Sequence, residues 1–174
     1  MRTGTSAVNS PRVTIEPMRR RHLPAVLRIE RRSHPKPWAL GVFTSELAQG
    51  GSRYYAVLRS EGRVAGYAGL MFVADEAHVT NIAVSPVRRR QGLGSRLLVH
   101  LAREGTRRGC SAMTLEVRVG NLAAQALYQQ FGFVTAGVRR NYYPETHEDA
   151  LVMWLYRLRS ADVQDRLKAI EEAL

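Results

Sequence analysis

Between Asn81 and Leu98 the sequence passes from an apolar strand pattern, through a basic turn with two glycines, into a helix pattern. Asn81-Ile82-Ala83-Val84 stops at Ser85-Pro86. Arg88-Arg89-Arg90-Gln91-Gly92-Leu93-Gly94 follows, and Leu97, Leu98, Leu101 and Ala102 then recur at helical spacing as far as Gly109. A strand that feeds straight into a helix builds a layer of helix on sheet. Gly92 and Gly94 let the backbone approach a ligand closely. The amides at a helix start have no partner within the helix, and the helix dipole adds positive potential there. With three arginines around it, this end suits a pyrophosphate; the plainer alternative is a glycine turn beside a solvated arginine patch. A dinucleotide fingerprint is excluded because Leu97 stands where its third glycine would be, and a P-loop because no Gly-Lys-Ser/Thr follows.

The strand before this turn is the last of a meander. Val13 and Ile15 alternate with polar neighbours as a short strand. Tyr54–Leu58 and Arg63–Val73, joined by Ser60-Glu61-Gly62, predict a hairpin, and Ala77–Val84 extends it. Leu23, Val26, Leu27 and Ile29 predict a helix from His22 to about Ser33. His34-Pro35-Lys36-Pro37-Trp38 cannot continue it, because each proline restricts the residue before it. A second short helix is expected over Thr44–Gln49. After Gly109, Met113–Val117 predicts a buried strand, and Asn121 caps a helix with Leu122, Ala126, Leu127 and Phe131 inward, ending at Gly132. Phe133–Val138 and Leu151–Leu158 are the last two strands. From Ser160, as cap, Val163, Leu167, Ile170 and Leu174 form the apolar stripe of a final helix whose burial partner is left open.

The fold class expected is therefore mixed α/β (an α+β mixed sheet): an antiparallel meander, then strand–helix crossovers, then an appended C-terminal helix. Residues 1–11 predict a flexible tail, 12–158 one domain and 159–174 the appended helix.

The formal net charge is +11, nearly all of it arginine, since Lys36 and Lys168 are the only lysines. Such a charge admits a nucleotide cofactor, a nucleic acid or an acidic protein as partner and does not choose among them. No apolar run is long enough to span a bilayer and nothing at the start reads as a signal peptide, so no membrane partner is expected and the cytoplasm is the expected compartment. Cys110 is the only cysteine, which precludes an internal disulfide; it reads as a core thiol, and His78 as structural. No His/Cys/Asp set has metal-ligand spacing, so no metal is expected. The oligomeric state is left open.

Glu116 is a charged residue in an otherwise apolar strand, on the same face as Arg118. It is either half of an ion pair with Arg118 or a neighbouring arginine, or a partly desolvated general base facing a cleft. Tyr128 lies two turns beyond Asn121 on one helix; it is either core or a phenol able to protonate a leaving group. The loop Arg139-Arg140-Asn141-Tyr142-Tyr143-Pro144 is aromatic and basic, and Glu30 with Trp38 forms a plausible opposite wall, with Trp38 as a core alternative.

Arg89-Arg90-Gln91-Gly92-Leu93-Gly94 resembles the Gln/Arg-x-x-Gly-x-Gly/Ala pattern of the GCN5-related N-acetyltransferases, and Asn81-Ile82-Ala83-Val84 looks like that superfamily's bulged strand. The resemblance covers roughly Val13 to Leu158. Further fragments, Leu115-Glu116-Val117-Arg118-x-x-Asn121, Ala126-Leu127-Tyr128-x-x-Phe131-Gly132-Phe133, Arg139 to Pro144 and Glu148-Asp149-Ala150, are together similar to the RimI family of bacterial ribosomal-protein S18 N-terminal-alanine acetyltransferases. Gly120 departs from it, standing where Ser, Ala or Asp is frequent.

The resemblance implies acetyl-CoA as cosubstrate, held by Ile82, Ala83, Val84, Arg89, Arg90, Gln91, Gly92, Leu93, Gly94, Ser95 and Asn121. It implies Glu116 as base and Tyr128 as acid, with Trp38, Arg139, Asn141, Tyr142 and Tyr143 lining the acceptor side. The acceptor implied is a protein N-terminus, most specifically that of S18, with nucleic acid met only through the ribosome. The alternatives are an acetyltransferase for other N-termini, lysines or small amines, and, from another class, a basic RNA- or ribosome-binding module.

Overall fold

In a computed structural model of the protein, residues 12–174 are described; the expected tail at 1–11 lies outside them. Strands β1 (Val13–Pro17), β2 (Arg53–Ser60), β3 (Arg63–Val73) and β4 (Glu76–Val84) form the expected antiparallel meander. The β2–β3 turn is tighter than expected: Ser60 pairs with Arg63, and Glu61 and Gly62 take left-handed conformations, the geometry of a two-residue hairpin turn. The chain then crosses through α3 (Leu93–Arg107) to β5 (Ala112–Arg118) and through α4 (Leu122–Phe131) to β6 (Val134–Tyr143) and β7 (Glu148–Leu155). All seven strands join one sheet in the order β1-β2-β3-β4-β5-β7-β6.

Helices cover both faces. Helices α1 (Leu23–Ser33) and α2 (Leu40–Ala48) bury Val26, Ile29 and Phe43 against Tyr55, Val57 and Tyr67. On the other face α3, α4 and α5 (Ala161–Glu172) bury Leu97, Leu98, Leu101, Phe131 and Leu167 against Met113, Leu115 and Met153. Cys110 is buried in this second core, as expected.

Four expectations need correction. Helix α2 begins at Leu40 rather than Thr44: Pro37 restricts only Lys36, and Leu40 and Val42 point outward, so no apolar stripe marks the first turn. Helix α4 faces inward through Ala124, Leu127, Tyr128 and Phe131; Leu122 is 71% exposed and Ala126 is exposed too. Strand β6 runs on to Tyr143, so Arg139–Tyr143 is strand and not loop, and β7 spans Glu148–Leu155 rather than Leu151–Leu158. Being an edge strand exposed on both faces, most of β6 shows no alternation to read. Finally, Ser160 sits at the N-cap of α5 with extended backbone, but its hydroxyl makes no capping bond.

Candidate active site

The cleft arises where two strands part. Strands β4 and β5 pair in parallel only at Glu76–His78 with Ala112–Thr114; beyond that β5 pairs with β7 alone. A register shift opposite Gly69 leaves Thr80 as the extra residue between Val79 and Asn81, a β-bulge that bends β4 further away. A Cβ on Gly69 would run into the Tyr55 ring, so glycine is what admits the close packing beneath the bulge. Strand β4 therefore offers backbone amides and carbonyls to the gap, which opens into a cleft of about 400 Å³.

At the far end of β4 a short 3-10 turn, Pro86–Arg88, leads into the glycine turn. Arg90 and Gly92 both adopt left-handed backbone, φ 60 and 72 degrees. Gly92 is the N-cap of α3, and no side chain caps the helix. Its first amides are thus left for a ligand, in a turn flanked by Arg88, Arg89 and Arg90. Arg89 Nε donates to the Val84 carbonyl at 3.3 Å, which tethers the turn to the strand end.

The structure brings Trp38, Ile82, Glu116, Asn121, Tyr128, Tyr142 and Tyr143 to the walls of one cleft. Asn121 caps α4, its Oδ1 accepting from the Ala124 amide at 3.1 Å. Glu116 is half-buried, and Arg139 Nε lies 3.3 Å from its Oε1. The ion-pair partner is therefore Arg139 on β6, not Arg118. Arg118 instead stacks 3.8 Å above the Tyr143 ring and binds Glu145 at 2.7 Å and Glu148 at 3.3 Å. Gly120 makes room for this network, since a Cβ there would lie 2.9 Å from Glu148 Oε2. Tyr128 is buried, and that burial, with Tyr143 second, pushes its phenol well above the ordinary value. Burial likewise pushes Tyr143 up to about 12. Both phenols are protonated across the physiological range.

Asn141 does not reach the cleft wall. It sits in a register irregularity of β6 with φ 48 degrees, and its amide donates to Asp149 Oδ1 at 2.7 Å. The residues from Ala83 to Val84 and from Arg89 to Ser95 lie beside the cavity rather than on its walls, along the strand end and turn.

Glu30 has a larger place than the sequence reading gave it. It is 1% exposed, yet its carboxylate accepts from the Trp38 amide at 2.8 Å, from the Tyr67 hydroxyl and from Asn81 Nδ2 at 3.3 Å. One carboxylate thus ties the α1–α2 connection to β3 and to the bulged strand. The signal was present, because Glu30 continues the buried stripe Leu23, Val26, Leu27 at helical spacing. His34, 3.5 Å from Glu30, also faces the cleft, with Nε2 buried and without a hydrogen bond; desolvation lowers its pKa against the opposing pull of Glu30.

A mixed sheet split between parallel strands, with an uncapped helix start behind a basic glycine turn and a half-buried carboxylate across the gap, has the parts of an acyl-CoA transferase. The chain matches the Acetyltransferase (GNAT) family over residues 23–133, and it belongs to that family. It is an acetyl-CoA-dependent N-acetyltransferase. The [ribosomal protein bS18]-alanine N-acetyltransferase of Escherichia coli (strain K12) is 46% identical over 145 residues, 82% of this chain and 96% of that one. The crystal structure of the Escherichia coli ribosomal-protein-S18-alanine N-acetyltransferase superposes with a TM-score of 0.78 at 44% identity, covering 84% of this chain and 94% of that one. That of Ard1 from Thermoplasma volcanium gives 0.77 at 25%, covering 83% and 97%. Among the described residues no group of three or more His, Cys, Asp or Glu could hold a metal ion, and no helix is long and apolar enough to cross a membrane.

Proposed function

We propose that this enzyme acetylates the N-terminal alanine of ribosomal protein S18 by direct transfer from acetyl-CoA, with Glu116 as base and Tyr128 as acid. The observation that carries the reading is that Glu116 and Tyr128 line one cleft at the parting of β4 and β5, beside an uncapped helix start. The pyrophosphate binds the Arg89–Ser95 turn and the pantetheine arm pairs with the free backbone of Ile82–Val84, which brings the thioester to the gap; Asn121 meets the arm from α4.

Glu116 accepts a proton from the acceptor's ammonium. The free amine attacks the thioester carbonyl, and the tetrahedral intermediate collapses with cleavage of the carbon–sulfur bond. Tyr128 donates its proton to the departing thiolate, giving CoA as the thiol; the acylated nitrogen sheds its second proton to solvent as the amide forms, and solvent reprotonates Tyr128. Its raised pKa keeps that proton in place until the thiolate forms. An α-amine is roughly 2.5 pKa units easier to deprotonate than a lysine, which favours a protein N-terminus over internal lysines for a carboxylate base. Glu145, held below the usual carboxylate range by the Arg118 guanidinium, gives the cleft mouth an anion to meet a basic residue behind the terminal alanine. The similarity to the Escherichia coli enzyme supports this acceptor, and an acceptor that is a ribosomal protein favours the cytoplasm as the place of reaction.

A competition assay tests the acceptor. An Ala-Arg peptide with the S18 terminus, a peptide with a blocked N-terminus and an internal lysine, and a polyamine are mixed with enzyme and limiting acetyl-CoA. The N-terminal peptide takes nearly all the label; preferential labelling of lysine or polyamine would overturn the acceptor assignment and leave the transferase chemistry standing.

A further inference from the structure

The appended helix α5 ends at the glycine turn. It runs antiparallel to α3: Gln164 contacts Thr106 at 3.2 Å near the end of α3, Arg103 binds Gln164 at 2.8 Å and Glu171 at 3.1 Å, and the Arg96 guanidinium donates to the Leu174 main-chain oxygen one turn into α3. Arg166 also covers Gly132 at the end of α4. Leu174 Cδ2 stands 2.8 Å from the point a Cβ on Gly92 would occupy. Packing holds the body of the helix, with Val163 and Leu167 buried and Ile170 against the same core.

From these contacts we infer that Leu174, just beyond the last turn of α5, is a brace for the cofactor site, fixing Gly92 and Arg96 so that the turn is ready to receive the pyrophosphate. Its contacts have the character of a brace and not of a plug. A methyl group fills the side of Gly92 toward which a side chain would point, and the Leu174 main-chain oxygen engages a side chain of α3. No side chain, from α5 or elsewhere among the described residues, caps the first amides of α3. Gly92 holds a left-handed backbone at the helix start, one of several conformations open to a glycine, and a neighbour packed against it narrows that choice. Ordering the turn before the ligand arrives lowers the cost of binding. Arg96 is in this scheme a positioning residue, acting through Leu174. The inference rests on reading the Arg89–Ser95 turn as the pyrophosphate site.

The test compares the full chain with a variant lacking residues 172–174, with Arg96→Ala, and with the two combined. Val163 and Leu167 are retained, so α5 stays docked, which circular dichroism and the thermal unfolding midpoint verify. The shortened chain raises KM for acetyl-CoA about five- to tenfold, with kcat and the acceptor KM within about twofold, the pattern of lost uniform binding. Arg96→Ala gives a similar rise and adds little in the shortened chain, because both changes break one link. An unchanged KM for acetyl-CoA overturns the brace, and a lowered KM overturns it by making residues 172–174 a plug. Additive effects overturn it too, assigning Arg96 to direct cofactor contact. Gly94→Asp separates failure of the underlying reading. A Cβ at Gly94 meets only Leu127 Cδ2, at 3.5 Å, and a carboxylate in the first turn suits the helix dipole, but it repels a pyrophosphate. If Gly94→Asp leaves KM for acetyl-CoA unchanged, the turn is not the phosphate site and the brace falls with it. If Gly94→Asp raises KM and the shortened chain does not, only the brace falls.

Discussion

On the function proposed above, the donor and acceptor sides of the cleft are built by different means. The donor side is backbone: a bulged strand, a left-handed glycine turn and the free amides of α3, all within the contiguous run from Val79 to Arg96. The acceptor side is side chains from α1, the α1–α2 connection, β5 and the β6–β7 hairpin, gathered around Glu30 and Arg118. A backbone site yields only to changes that alter the turn or its charge. A side-chain network yields to the loss of one member, since buried polar partners left unpaired each cost about 1–3 kcal/mol. Donor binding should thus resist most single substitutions, and acceptor use should not.

The largest departure comes where the two sides meet. Glu116→Gln keeps the shape of the cleft but cannot take the proton from the amine as proposed for Glu116; kcat falls about 10²- to 10³-fold with KM for acetyl-CoA unchanged, measured by thiol release, and the acidic limb of the pH–rate profile goes with it. Glu30→Ala orphans the Trp38 amide, the Tyr67 hydroxyl and Asn81 together. We expect about 3 kcal/mol lost in denaturant unfolding and a raised peptide KM, again with the acetyl-CoA KM held. A rise in both KM values to the same degree would break the division between the two sides. Tyr128→Phe removes the proposed proton donor with little change in packing, and kcat falls about tenfold. Arg139→Ala frees Glu116 of its ion pair and changes kcat/KM for peptide only about two- to fourfold, because the arginine is 56% exposed and its pair is screened.

The smallest effect is on stability and pH. Desolvation lowers the pKa of His34, which Glu30 opposes and Arg118 and Arg89 reinforce, and of His100, which Glu104 opposes. The unfolded chain therefore takes up protons first as pH falls below the ordinary value of 6.5, and stability declines from there down through the folded-state values. Above that point these two groups add no slope. The unfolding midpoint should be flat from about pH 7 to 8 and fall toward pH 5, and His34→Gln should remove part of the fall.

The same contrast governs what the sequence discloses. The donor turn is contiguous, so its strand, arginines and glycines sit together in the text, and Glu116 stands out as a charge inside an apolar strand. The acceptor side is assembled by tertiary geometry. Which β6 residue meets Glu116 depends on two register irregularities, between Thr135 and Gly137 and between Arg139 and Tyr143, and no local pattern states them. That is why Arg139 became the partner while Asn141 turned away. In helix α4 the inward Leu127 and Phe131 are legible, the exposed Leu122 and Ala126 mimic buried residues, and the cap at Asn121 leaves its own mark. The stripe of α5 was plain, but its partner was not: an amphipathic helix shows that it must be covered and not by what.

The most direct measurement is tandem mass spectrometry of a peptide with the S18 amino terminus, carrying both the alanine α-amine and an internal lysine, after incubation with enzyme and acetyl-CoA. The expected result is one acetyl group, on the alanine nitrogen, absent with the Glu116→Gln enzyme over the same time. Acetylation of the lysine instead, or none in the presence of demonstrated acetyl-CoA binding, would contradict it.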